Sequence, residues 1–129
     1  MKTEISYKIE MHRRLCLQKD VKEVKYWIGV LEHFNNELDH FKIIEKQLIK
    51  QSSLSGTIQA VRRKNILNMA ALCKYEQALK VEQEYGKIEY DVTRSKLHEQ
   101  KRDSYLKVIE DYNILKHQFY VLLRKYHRK

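Results

Sequence analysis

The sequence contains no proline and only three glycines in 129 residues. Proline interrupts helices and glycine weakens them, and both are frequent in the turns that sandwiches and barrels of short strands require. The two cysteines, Cys16 and Cys73, have neither the spacing of a metal site nor that of a redox motif, so we expect free thiols of a reducing compartment. The scarcity of turn residues predicts a few long helices and excludes a fold with many short strands.

Long apolar runs are also lacking. Residues 1–10 carry charges where a secretory signal would be apolar, and the longest clearly apolar stretch, residues 65–73, is too short to span a bilayer. The length suits one domain. We therefore expect a cytoplasmic protein with a single helical-bundle domain over residues 1–129.

Apolar residues recur at steps of three and four in two parts of the chain. This spacing returns side chains to one face of a helix and is typical of a coiled-coil seam. It predicts an all-α fold, an elongated antiparallel bundle of three long coiled-coil-like helices. In the first series Glu45 fills the one slot that lacks an apolar residue. The two series are Trp27, Leu31, Phe34, Leu38, Phe41 and Leu48, and Val108, Tyr112, Leu115, Phe119, Leu122 and Tyr126.

The helix boundaries are predicted from small and polar residues. Residues 51–57 combine serines, Gly56 and Thr57, which predicts a loop. Residues 85–91 predict the second turn, with Gly86 as a left-handed helix cap. If Gly86 instead lies within one continuous helix, the chain forms a long two-helix hairpin that dimerises into a four-helix bundle. Residues 1–20 either extend the first helix or form a separate N-terminal segment.

A polar layer is predicted where the regular pattern fails. Antiparallel pairing about the two turns places Glu76 level with His98, and Tyr75 and Arg94 belong to the same layer. Such a layer could be a catalytic or metal site. Because polar core residues also fix the register of helices without any ligand, we favour the structural interpretation.

A second cluster, His33, Glu37 and His40, lies on one face of the first helix because its members are four and three residues apart. Glu37 and His40 match the Glu-x-x-His unit of di-iron helical bundles, but the second such unit of those proteins is missing here. We therefore regard these three residues as weak metal candidates on a solvated flank, and we predict no cofactor.

The formal net charge is +9, which favours anionic partners such as nucleic acid or an acidic membrane surface. Clustered cations would bind phosphates by releasing counterions, without reading bases. The candidates are Arg62, Arg63, Lys64, Arg124, Lys125, Arg128 and Lys129.

Catalytic motifs are absent from the sequence: there is no phosphate-binding glycine loop, nucleophile elbow or zinc-protease motif. We therefore predict a protein that is not an enzyme. The leading hypothesis is a helical interaction or scaffold module that binds a protein partner or itself as a homodimer. The alternatives are a binder of nucleic acid or acidic phospholipid and a metal-binding helical bundle.

Overall fold

Residues 2–126 of the protein form three long helices. The computed structural model describes the backbone of residues 2–126 and the side chains of residues 4–126. Helix α1 spans Lys2–Ile44 and passes into a π-helical turn, Glu45–Ile49; α2 spans Ser52–Tyr85 and α3 spans Val92–Arg124. The described part of the chain contains no strand. The predicted all-α, three-helix antiparallel bundle is confirmed.

Helix α1 is continuous, so residues 2–20 are its first part and not a separate segment. The alternative of one continuous helix through Gly86 is wrong, because α2 and α3 are separated there. No helix among the described residues is apolar enough over a sufficient length to cross a membrane.

The first connection is shorter than the loop predicted over residues 51–57. Lys50 adopts a left-handed conformation with φ 53°, and α2 already begins at Ser52. The small polar residues are helical because Leu54 and Ile58, one turn apart, are both buried in the core. Burying two large aliphatic side chains contributes roughly 3–6 kcal/mol, which exceeds the weak helix propensity of serine and glycine.

The second connection follows the prediction in position but not in conformation. Gly86 has φ −74° and is therefore not a left-handed cap. Its N–H donates to the carbonyl of Glu82 over 2.8 Å. A Cβ at Gly86 would collide with the backbone oxygen and carboxylate of Glu82, so glycine is needed for close approach. Asp91 then caps α3 by accepting from the N–H of Arg94 over 3.1 Å.

The core consists of two clusters along the bundle, with Phe34 packed against both. We name them after their central aromatic residues. The Trp27 cluster is Leu17, Val21, Val24, Trp27, Leu31, Leu72, Tyr75, Leu79, Tyr105 and Val108. The Phe41 cluster is Leu38, Phe41, Leu54, Ile58, Val61, Tyr112, Leu115 and Phe119.

Two predicted seam residues are not in the core. Leu48 and Tyr126 are 43% and 50% exposed. Leu48 lies in the π-helical turn, whose wider spacing rotates it away from the seam, and Tyr126 follows the end of α3. Glu45, the polar residue of the first series, is buried and accepts from the N–H of Gln51 over 3.1 Å. It therefore helps to close the first connection.

Candidate functional sites

A buried histidine lies between all three helices near the start of α3. His98 is 3% exposed, and its Nδ1 is 2.7 Å from the hydroxyl oxygen of Tyr75 on α2. The indole ring of Trp27 stacks on the imidazole with 5.1 Å between ring centroids. The hydrogen bond and the stacking fix the orientation of the imidazole ring, and with it the direction of Nε2.

Two carboxylates of α1 approach His98 from the other side. Nε2 is 3.4 Å from Oδ1 of Asp20 and 3.3 Å from Oε1 of Glu23. Asp20 is 3% exposed and Glu23 is partly buried. Because they are three residues apart, the two carboxylates share one face of α1. Together with His98 they form the one group of three potential metal ligands within mutual reach among the described residues.

The outer atoms of both carboxylates are also bound. The hydroxyl of Tyr90 donates to Oδ2 of Asp20, and the guanidinium of Arg102 donates to Oε2 of Glu23 over 2.9 Å. Arg102 also lies over the Trp27 ring, 5.8 Å from its centroid. We refer to Asp20, Glu23, Tyr75, Tyr90, His98 and Arg102 as the His98 layer.

The surroundings shift several pKa values in the His98 layer. Burial raises the pKa of Tyr75 and of Tyr90 well above the usual value, and the Asp20 carboxylate adds to both shifts. Burial alone would raise the pKa of Glu23, but the bond and charge of Arg102 outweigh it, so that the pKa is lowered. Both tyrosines therefore stay protonated, and Glu23 stays ionised, over the physiological range.

The predicted polar layer coincides only in part with this arrangement. Tyr75 and His98 are in contact. Glu76 instead pairs with Lys80 over 3.7 Å, and Arg94 pairs with Glu82 over 2.7 Å, away from the imidazole. Asp20 and Glu23, which come from α1, were not among the residues predicted for this layer.

A signal for Asp20 was present in the sequence. The seam of α1 continues backwards from Trp27 at steps of three and four, and all of its members are buried: Val24, Asp20, Leu17 and Arg13. Arg13 satisfies its buried guanidinium by donating to the carbonyl of Glu82 over 2.9 Å. Its bond to Glu10, with a second from Arg14, lowers the pKa of Glu10 to about 2.

The other metal candidates do not converge. His33 and His40 are exposed. Glu37 accepts from the hydroxyl of Tyr112 and lies 3.6 Å from the ammonium of Lys116, so it is part of the α1–α3 contact. Of the Glu-x-x-His unit, Glu37 therefore takes part in helix packing and His40 lies on the surface.

The basic candidates are partly neutralised. Arg62 pairs with Asp39, and Lys64 lies 3.4 Å from Asp111. Arg63 and Lys125 are exposed, as is Arg124, whose Nε donates to the carbonyl of Tyr120 over 3.4 Å. Arg128 and Lys129 lie outside the described residues. Because Arg62 and Lys64 are paired with carboxylates, the cluster of residues 62–64 has less positive charge available to bind phosphates.

A second candidate site is the start of α1, which extends beyond the other helices. Arg13 contacts the last turn of α2, so residues 2–11, which we call the α1 extension, lie past the end of α2. Side chains 4–9 are all exposed. Its large apolar residues have these exposed fractions: Ile5 58%, Tyr7 66%, Ile9 39% and Met11 40%.

The apolar residues of the extension occupy opposite faces of the helix. Tyr7, Met11 and the exposed Leu15 follow one another at steps of four, as do Ile5 and Ile9. Two residues correspond to about 200° around a helix, so the two rows point away from each other. Next to them, at the bundle end, lie further exposed apolar residues: Tyr85, Ile88 and Val92.

Comparison with known proteins identifies no relative: no family model, no curated protein and no solved structure matches this chain.

Proposed function

We propose that the protein is a non-enzymatic helical interaction module that self-associates through the α1 extension. The observation that carries the proposal is the exposure of large apolar side chains on two opposite faces of this segment. Water-exposed apolar area is unfavourable by about 25 cal/mol per Å², so large apolar side chains on two faces of a helix are usually covered. The extension also carries Glu4, Ser6 and Lys8 between its apolar residues, and it therefore fits a helix that is partly covered in an assembly.

The size of the extension indicates that the interface includes the bundle end. Ten helical residues span about 15 Å, and a helix is about 10 Å wide, so one face covers on the order of 150 Å². A stable interface buries about 800 Å² on each partner. The exposed side chains of Tyr85, Ile88 and Val92 enlarge the apolar surface beside the extension.

A second copy of the chain is a partner that fits both surfaces. The bundle end is acidic on balance, with Glu84, Glu89 and Asp91 exposed beside one exposed base, Lys87, whereas Lys8 and Glu4 are both exposed on the extension. In a two-fold dimer each extension packs on the bundle end of the other copy, so that Lys8 meets the acidic residues twice. Such an arrangement is self-complementary and closed.

The test compares association states. Sedimentation equilibrium of the wild type is expected to give a dimer at micromolar concentration, and the double variant Met11→Glu/Leu15→Glu a monomer, because two carboxylates would be desolvated in the interface. The matched control is Leu67→Glu, which replaces a 64% exposed apolar residue on α2, and it should remain a dimer. Circular dichroism checks that all three proteins are equally helical.

A wild type that is monomeric at about 100 μM, far above the concentration at which a specific dimer of this kind dissociates, contradicts self-association. Equal dissociation of the Leu67→Glu control would show that the extension is not the interface.

A further inference from the structure

The geometry points to a zinc site in the His98 layer, formed by Oδ1 of Asp20, Oε1 of Glu23 and Nε2 of His98. These three atoms lie within 4.8 Å of one another, and they belong to two helices that are far apart in the sequence. An imidazole with two carboxylates suits a divalent transition metal, and three protein ligands leave one position for water.

The two distances from Nε2 are longer than those of a strong ion pair and match the separation of ligands around one ion, and the two carboxylate oxygens lie within 4.8 Å of each other. Charge-assisted N–H···O bonds are about 2.7–2.9 Å long. Nε2 is instead 3.3 Å and 3.4 Å from the two carboxylate oxygens. Ligands about 2.0–2.1 Å from a tetrahedral zinc ion are separated from one another by roughly 3.3–3.4 Å.

The single proton on Nε2 of His98 also favours a metal ion, because two carboxylates compete for it. A single Nε2–H group can donate fully to only one of two carboxylate oxygens. Asp20 and His98 are both 3% exposed, so water offers them little compensation. A dication at the position of this proton would bind both oxygens and the nitrogen, and the proton would pass to solvent.

The three proposed ligands are also held by hydrogen bonds from neighbouring side chains, as metal ligands in proteins usually are. Every remaining polar atom of the three ligands has a partner: Nδ1 of His98 has Tyr75, Oδ2 of Asp20 has Tyr90, and Oε2 of Glu23 has Arg102. With Nε2 bound to the ion, Nδ1 carries the proton and donates to the oxygen of Tyr75. Such contacts orient ligands and commonly change metal affinity 10- to 100-fold.

A route to the site exists in the same region. Asp20, Tyr75 and Tyr90 also line a cavity of about 450 Å³ between the end of α2 and the start of α3. Asp20 is the one proposed ligand that lines this cavity, so an ion that enters it arrives beside the Asp20 carboxylate.

The test is calorimetric titration of the full chain with Zn²⁺ after dialysis against a chelator. One ion per chain is expected. Tyr90→Phe should weaken binding about 10-fold or more by releasing Asp20, and Asp20→Asn or His98→Gln, which remove ligands, should weaken it by more than 100-fold. Replacing Zn²⁺ with Co²⁺ should give the visible absorption of a tetrahedral site in the wild type but not in Asp20→Asn or His98→Gln.

The control is the double variant His33→Gln/His40→Gln, which removes two exposed histidines and should bind as the wild type does. If His98→Gln does not fold, Asp20→Asn and Tyr90→Phe decide the question, since both nearly preserve side-chain shape. The proposal is overturned if wild-type protein binds no Zn²⁺ at about 100 μM, a concentration at which a site with a Kd of about 10 μM or less is nearly filled. It is equally overturned if Asp20→Asn binds normally or if the control loses the ion.

Discussion

The two ends of the bundle core are built on different principles. The Phe41 cluster joins the helices through aromatic rings, with 4.1 Å between the ring centroids of Phe41 and Phe119 and 3.8 Å between those of Phe34 and Tyr112. The Phe41 end has one buried charged residue, Glu45, at the connection to α2, whereas the Trp27 cluster adjoins Arg13 and Asp20 together with His98. Burial of apolar area stabilises the Phe41 end. At the Trp27 end, part of the same stabilisation is offset by the cost of desolvating ionisable groups.

The two ends of the core therefore differ in what they can offer to a ligand. Apolar side chains at the Phe41 end need only a matching shape, and they offer nothing to a ligand. At the Trp27 end the ionisable groups must meet at defined distances, which the surrounding Trp27 and Tyr105 rings help to maintain by stacking, 5.2 Å between centroids. The zinc site that we propose therefore lies at the Trp27 end.

The largest effect is expected at the Phe41 end. Phe119→Ala should lower the free energy of unfolding by about 3–5 kcal/mol, because a fully buried ring is replaced by a cavity. The measurement is urea unfolding followed by circular dichroism. Ile114→Ala, at a 51% exposed position of the same helix, should change stability by less than about 1 kcal/mol. Equal losses in the two variants would show that burial of the Phe119 ring is not what stabilises this end.

An intermediate effect is expected at the boundary between the clusters. Asn65 is 1% exposed, and its amide donates to the carbonyl of Leu31 and to Oδ1 of Asn35. Asn65→Ala should lower the free energy of unfolding by about 1–3 kcal/mol, since it removes two hydrogen bonds from a buried position. Asn36→Ala is the control, because Asn36 is exposed on α1. A neutral Asn65→Ala variant would show that the clusters need no polar contact between them.

The smallest effect is expected at Glu23 and depends on pH. Its pKa is lowered from 4.5 in the folded protein, so its contribution to stability is fully present above that value and disappears as pH falls through the folded pKa. The stability difference between wild type and Glu23→Gln should therefore be positive near about pH 6 and shrink toward about pH 3. Unfolding in urea at both pH values measures it. Glu99→Gln, exposed on α3, should show no such change.

The fold could be predicted from the sequence because helices are specified by local features, the apolar periodicity and the lack of proline. The three-and-four spacing marks the buried faces of α1 and α3, and residues 85–91 mark the second turn. The first turn was misplaced because the burial of Leu54 and Ile58, a tertiary effect, overrides the turn propensity of the residues around them.

The candidate site was only half predictable. Tyr75 and His98 follow from pairing α2 with α3, but the carboxylates follow from the parallel neighbours α1 and α3, whose relative shift no local pattern fixes. Asp20 breaks the apolar seam in the same way as His98 does, and a search for polar residues in seam positions would have found both. The α1 extension was not foreseen, because only the observed end of α2 shows where α1 loses its neighbours.

The two connections between the helices differ in length, and this difference affects the expected order of folding. Lys50 and Gln51 alone separate the π-helical turn from α2, whereas residues 86–91 separate α2 from α3. A short closure costs little chain entropy, so we expect the α1–α2 hairpin to form early and α3 to dock on it afterwards. His98 enters with α3, so Asp20 and Glu23 meet their imidazole partner only in the last step. The His98 layer is then a marker for completed folding, and its assembly reports when the third helix has reached its final register.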